Sequence, residues 1–235
     1  MWSGPRNIST AMMRSWENRG DCAISDEPLY AHYLAHTGLD HPGRDQIIAQ
    51  GEADWRKVAA RLLGPMPEGR TIWYQKHMTH HLLPHIAREW LRELTHVFLI
   101  RDPRAVVLSY VKTRPRVSVD DIGVLQQLEI YDYVQRQSGR DPLVIDADEF
   151  LGAPEVQLRA LCGELSIDFT PRMLRWPAGP RASDGLWAPH WYAAVLRSTG
   201  FEPQRARALE VPPAYQDIVG QLMPAYLNLH ARRLK

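Results

Sequence analysis

A chain of 235 residues, 45% hydrophobic and 23% charged, has the makeup of a globular protein able to bury a core. Its 28 basic residues stand against 27 acidic ones, which argues against a nucleic-acid binder working through a broad basic face, so an anionic ligand would need a local basic pocket. No apolar run approaches the roughly 20 residues of a membrane span, the opening residues lack a signal-peptide pattern, and Cys22 and Cys162 show neither metal spacing nor a disulfide framework, so a cytoplasmic protein with two inert thiols is expected.

The chain opens on Ser3-Gly4-Pro5-Arg6-Asn7-Ile8-Ser9-Thr10. Ser9 or Thr10 can cap a helix running to about Arg19, with Met12 and Trp16 one turn apart. A glycine-containing turn that feeds a helix start presents free N–H groups, and the helix dipole makes it an anion site. Arg6 adds charge there, and Ser9 and Thr10 add hydroxyls. The G-x-x-x-x-G-K-[ST] string of a Walker loop is missing. A first apolar run, 22–24, is followed by Asp26 and Glu27. The polar segment 37–69 holds several Gly and Pro and is expected to be a helical or irregular insertion packed over the sheet edge, with a helix over 55–63.

A second run, 71–74, leads to Lys76 and His77, and the spacing after it predicts a helix over 82–94. The run 96–100 is apolar at consecutive positions from Val97 to Ile100, as in a strand covered on both faces. Arg101-Asp102-Pro103-Arg104 follows at once, then a helix over 105–111. Arg101 can reach a phosphate by a bidentate contact, and Ser109, eight residues on, can join it about two turns into the helix. Helices are expected over 124–137 and, with Pro154 in the first turn, over 154–165, flanking a fourth run at 143–145 that ends on Asp146 and Asp148. The stretch 171–213 is rich in Pro, Gly and Trp and reads as a lid or substrate loop with one short helix over 191–198.

Strands alternating with helices make this a single α/β domain over 1–235, three layers with a central, mostly parallel sheet flanked by helices. In such a sheet the strand C-termini share one edge, where ligands bind. The polar groups after each run therefore converge on one crevice.

The segments at 3–10 and 101–109 together resemble the two nucleotide-binding segments of the sulfotransferase superfamily, which has a P-loop-like fold and uses 3′-phosphoadenosine 5′-phosphosulfate (PAPS). Arg6, Asn7, Ser9 and Thr10 match the family's 5′-phosphosulfate loop, in which Ile8 stands where Gly is usual. Arg101 and Ser109 match the 3′-phosphate segment, spacing included. The stretch from Asp148 to Leu165 is similar to a late family segment. Trp176-Pro177-Ala178-Gly179-Pro180 with Asp184-Gly185, Trp187 and Trp191-Tyr192 is similar to a branch that also occurs fused to aminotransferase-like domains.

The resemblance implies a PAPS-dependent transfer of a sulfuryl group to a hydroxyl or amine of a small-molecule acceptor, with no metal required. The nucleotide contacts it implies are Arg6, Asn7, Ile8, Ser9, Thr10, Arg101 and Ser109. Arg6 and Lys76 are the candidates for stabilising the leaving group. Glu27, His77, His80 and His81 are candidates for the base, Glu27 because Asp26-Glu27-Pro28 resembles the acidic base position of carbohydrate-modifying members, His77 because His is the commoner base. A P-loop nucleotide kinase or hydrolase, and a non-catalytic nucleotide-binding member of the same fold, are the competing readings.

Overall fold

The computed structural model describes residues 1–67, 69–114, 116–202 and 209–235. Part of the expected loop at 171–213 therefore lies outside the described residues. Five strands, β1 (Trp2–Ser3), β2 (Cys22–Asp26), β3 (Ile72–Met78), β4 (Val97–Ile100) and β5 (Leu143–Asp146), form one sheet in the order β2-β3-β1-β4-β5. Every pairing is parallel. Among the described residues the helices are α1 (Ser9–Glu17), α2 (Tyr30–Thr37), α3 (Arg44–Gln50), α4 (Trp55–Leu62), α5 (Pro103–Tyr110), α6 (Val119–Ile122), α7 (Val124–Ser138), α8 (Ala147–Gly152), α9 (Pro154–Glu164), α10 (Ala188–Trp191) and α11 (Pro213–Ala231). None of the described helices is long and apolar enough to cross a membrane.

Alternation along the strands divides the apolar residues between two cores. Phe98, Ile100 and Val144 face one way, onto α4, α5, α7 and α11. Val97, Leu99 and Ile145 face the other, onto α1, α2, α8 and α9. The result is three layers, and each fully buried large side chain stabilises them by about 1.5–3 kcal/mol. β1 is only two residues long yet lies between β3 and β4, with Trp2 buried and paired in register to His77 and Phe98.

Three expectations need correction. Residues 82–94 do not form an α-helix: 3₁₀ turns at Thr79–His81 and Glu89–Glu93 flank an irregular stretch. Pro84 lacks an N–H and disfavours helical geometry at Leu83, while Leu82, Ile86, Trp90 and Leu91 still reach the core. β3 runs on to Met78, so Lys76 and His77 lie within it rather than after it. The short helix in the late segment is Ala188–Trp191, with a 3₁₀ turn at Val195–Arg197. Segment 37–69 contributes α4, whose Val58, Ala59 and Leu62 are buried in the same core as Trp2 and Trp90.

Candidate active site

The C-terminal ends of the strands open on a cavity of about 480 Å³. Its floor is the turn between β1 and α1. Arg6 and Ile8 both take positive φ, 62° and 55°. That region suits glycine, and a β-branched residue there is strained. The bend leaves the first turn of α1 without a side-chain cap, so its first N–H groups have no partner within the helix. Ser9 and Thr10 line the cavity. Asn7 does so too, although its amide nitrogen is spent on the Leu99 carbonyl, 3.1 Å away, which ties the turn to β4.

The structure brings the two sequence-distant basic segments into contact. Arg6 Nε donates to Ser109 Oγ at 2.9 Å. Arg101 Nη1 donates to the Arg6 carbonyl at 2.9 Å, and its Nε pairs with Asp148 at 3.1 Å. Partial burial and the like charge of Arg101 both lower the Arg6 pKa. Two guanidiniums beside an uncapped helix start, one of them paired with Asp148, have the charge and the donors to meet an anion.

Beside this floor stands a buried cluster. Lys76 Nζ donates to Asp26 Oδ1 at 2.8 Å, to Glu27 Oε1 at 2.5 Å and to the Tyr192 hydroxyl at 2.8 Å. The Tyr192 hydroxyl in turn donates to Asp26 Oδ2 at 2.6 Å and accepts from Trp187 Nε1 at 2.9 Å. Lys76 and Asp26 face each other in the β2–β3 register. Glu27 follows at φ 42°, a third strained non-glycine residue at the same cavity. Burial raises the Glu27 pKa; Lys76 pulls it down and Asp26 pushes it further up, with the rise prevailing. Burial works against the Lys76 charge, and the two carboxylates outweigh it and raise its pKa.

His77 is not part of this arrangement. Successive strand residues face opposite ways, so when Lys76 enters the cavity wall His77 is turned into the other core. There it stacks on Trp2 with centroids 4.4 Å apart, and burial drives its pKa well down. His81 is the histidine beside Glu27, its Nδ1 4.0 Å from Oε2, and it packs against the rings of both Tyr30 and Tyr33, with centroids 4.6 Å away in each case. His81 and His80 line the cavity.

Asp26 and Tyr192 were not singled out from the sequence as site residues. Asp26 could have been found from strand register, which sets it opposite Lys76. Tyr192 comes from a distant aromatic segment, and only its place beside Trp187 and Trp191 hinted at it.

A sequence model of the Sulfotransferase domain family matches residues 1–233. Two proteins of Arabidopsis thaliana, branched-chain-amino-acid aminotransferase-like proteins 2 and 1, are each 37% identical over 225 residues, or 96% of this chain. The chain spans 40% of the length of these relatives. The sulfotransferase domain from the Synechococcus PCC 7002 olefin synthase shares the fold, with a TM-score of 0.56 at 15% identity, over 96% of this chain and 92% of that one.

Proposed function

Because the chain belongs to the sulfotransferase domain family, we propose that it moves a sulfuryl group from PAPS to a hydroxyl or amine of a small-molecule acceptor. The observation that carries this reading is the contact of Arg6 with Ser109 and of Arg101 with Arg6, which joins two cationic segments at an uncapped helix start. A nucleotide with phosphate at both its 3′ and 5′ positions matches two such segments better than a nucleotide with one.

PAPS supplies the sulfuryl group on a phosphate that leaves. A bond forms between the acceptor atom and sulfur, the sulfur–oxygen bond to phosphate breaks, and the acceptor proton goes to a base. In this reading Arg6, the helix start, Ser9 and Thr10 hold the 5′ end and meet the charge that grows on the leaving oxygen. Arg101 and Ser109 hold the 3′-phosphate. Lys76 acts on the leaving oxygen at the 5′ end through its fixed charge, since its N–H groups already serve Asp26, Glu27 and Tyr192. Glu27, held at the strand edge with a raised pKa, takes the proton. The basic groups do the work that a metal does in nucleotide kinases, so none is needed. The segment 171–213 is read as a lid or substrate loop, and residues of its described part, Tyr192, Val195 and Phe201, line the cavity. The whole of 1–235 works as one domain. We place it in the cytoplasm, in keeping with two cysteines that are free and buried.

The test is nucleotide binding by calorimetry in EDTA. Arg101→Ala should weaken binding of 3′,5′-ADP (PAP) by about 1.5–3 kcal/mol, the worth of a charge-assisted contact, and leave 5′-AMP binding little changed. Equal PAP affinity in variant and parent, or binding that disappears with EDTA and returns with magnesium, would overturn the assignment.

A further inference from the structure

Beyond the Lys76 cluster, the cavity has a second polar centre that donor binding and proton removal do not use. Arg114 Nη1 lies 2.9 Å from His41 Nε2, and the guanidinium sits 5.0 Å from the centroid of the Trp191 ring. His41 Nδ1 lies 2.7 Å from the Tyr30 hydroxyl. All four residues line the cavity.

The direction of these bonds follows from chemistry. Arginine has only donors, so His41 Nε2 must accept. Burial, and then the Arg114 charge, hold the His41 pKa down at about 4, so the ring is neutral near pH 7. A neutral imidazole that accepts at Nε2 carries its proton on Nδ1, which therefore donates to the Tyr30 oxygen. Tyr30 keeps its own proton, for which the described residues offer no acceptor. Arg114 also hydrogen-bonds the Tyr110 hydroxyl; its guanidinium carries five N–H groups, so donors remain, and no ion pair with a carboxylate is found for it among the described residues. The nearby acids are engaged elsewhere: Asp121 Oδ2 accepts from Ser118 N and Oγ, and Glu27 pairs with Lys76.

One wall thus carries a cation and a hydroxyl donor fixed by a shared histidine, set among flat rings. His81 packs against both Tyr30 and Tyr33, and its buried Nδ1 has no hydrogen-bond partner. The donors left over on Arg114 and the Tyr30 hydroxyl call for an oxyanion, and flat rings call for a flat apolar body.

We infer that this wall is the acceptor subsite, and that the acceptor carries a carboxylate, bound by Arg114 and the Tyr30 hydroxyl, on a flat body whose hydroxyl faces Glu27. The inference rests on the sulfotransfer reading for the word acceptor; the carboxylate preference stands on its own.

The experiment compares 4-hydroxyphenylacetate with its uncharged amide, 4-hydroxyphenylacetamide, binding to the full chain with and without saturating PAP, by calorimetry. The acid should bind at least about tenfold more tightly, the low end of a charge-assisted contact. Arg114→Gln should erase that gap while PAP affinity stays as in the parent, and Tyr30→Phe should narrow it. The inference is overturned by equal binding of acid and amide, by no binding of either, or by a gap that survives Arg114→Gln. It is also overturned if Arg114→Gln weakens PAP and leaves the gap alone, since Arg114 then belongs to the nucleotide. If PAP does not bind at all, the sulfotransfer reading fails, and the acid–amide gap on nucleotide-free protein still decides the subsite.

Discussion

Glu27 and His77 show how much it matters whether a residue stays inside a strand or turns out of its end. Both are acid–base side chains near the carboxyl edge of neighbouring strands, and the sequence offered both as bases. Glu27 stands just past the end of β2, in a backbone conformation that keeps it at the cavity, with its carboxylate on Lys76. His77 lies inside β3 and faces Trp2. Glu27→Gln keeps the shape and removes basicity, so turnover should fall by roughly 10²–10⁴-fold with PAP affinity nearly intact. His77→Ala should cost stability and leave turnover per folded molecule unchanged. Glu27 works as a base only when ionised. Because burial raises its pKa, activity should be full at high pH and decline, as pH falls, above the usual carboxylate range. A Glu27→Gln variant that turns over normally, paired with an inactive His77→Ala variant, would transfer the role to His77 despite its position.

The element that organises the cluster is the β2–β3 pair. Its register sets Asp26 against Lys76, and Glu27 N continues the pairing by donating to the Lys76 carbonyl at 2.9 Å. The side chains of Lys76 and Asp26 are 1% and 2% exposed, so neither charge has water to fall back on. Removing one partner of such a group is costly because the other stays buried and uncompensated. Lys76→Met should therefore lower stability by about 3–5 kcal/mol in urea denaturation, with two carboxylates left facing each other. A midpoint equal to that of the parent would show that water or another cation reaches Asp26 and Glu27. Elements differed in how well they could be read. The apolar run of β4 was plain because all four of its residues are buried. β3 was cut short because Gln75, Lys76 and His77 are polar, and only the folded cluster and the Trp2 stack give such residues a place inside a strand. α11 carries Gly220 and Pro224, which punctuate the sequence like a loop; burial of Val219, Leu222, Ala225, Tyr226 and Leu229 holds it as a helix all the same.

Across the whole molecule, the site is assembled from segments more than 150 residues apart, and the least legible part is what holds the late segment down. The strand-edge rule put Arg6 and Arg101 on one edge of the sheet, and the resemblance to the family's two nucleotide-binding segments joined them with Ser109 into one site. No spacing rule could say where Asp184 or Tyr192 would land. In the fold the late segment closes on itself through the bridge of Arg175 with Gly200 and the bond from Gly179 N to Leu196 O. It is stapled to α1 by Asp184, whose Oδ1 lies 2.6 Å from Arg14 Nη1, with Arg14 fully buried. From there Gly185 N and the Tyr192 hydroxyl both donate to Asp26 Oδ2. The staple and the cluster are thus one connected network, and loosening the first should loosen the second. Asp184→Asn keeps the oxygen that accepts from Arg181 N and removes the charge that balances Arg14. Glu17, 3.6 Å from Arg14, compensates only in part. Stability should fall toward the 3–5 kcal/mol expected for an uncompensated buried charge. Amide hydrogen exchange should quicken across 184–192 while β4 and β5 keep their protection, because local opening follows the contacts that are lost. If midpoint and exchange both match the parent, the late segment is held by its tryptophans alone and the Arg14–Asp184 pair is incidental.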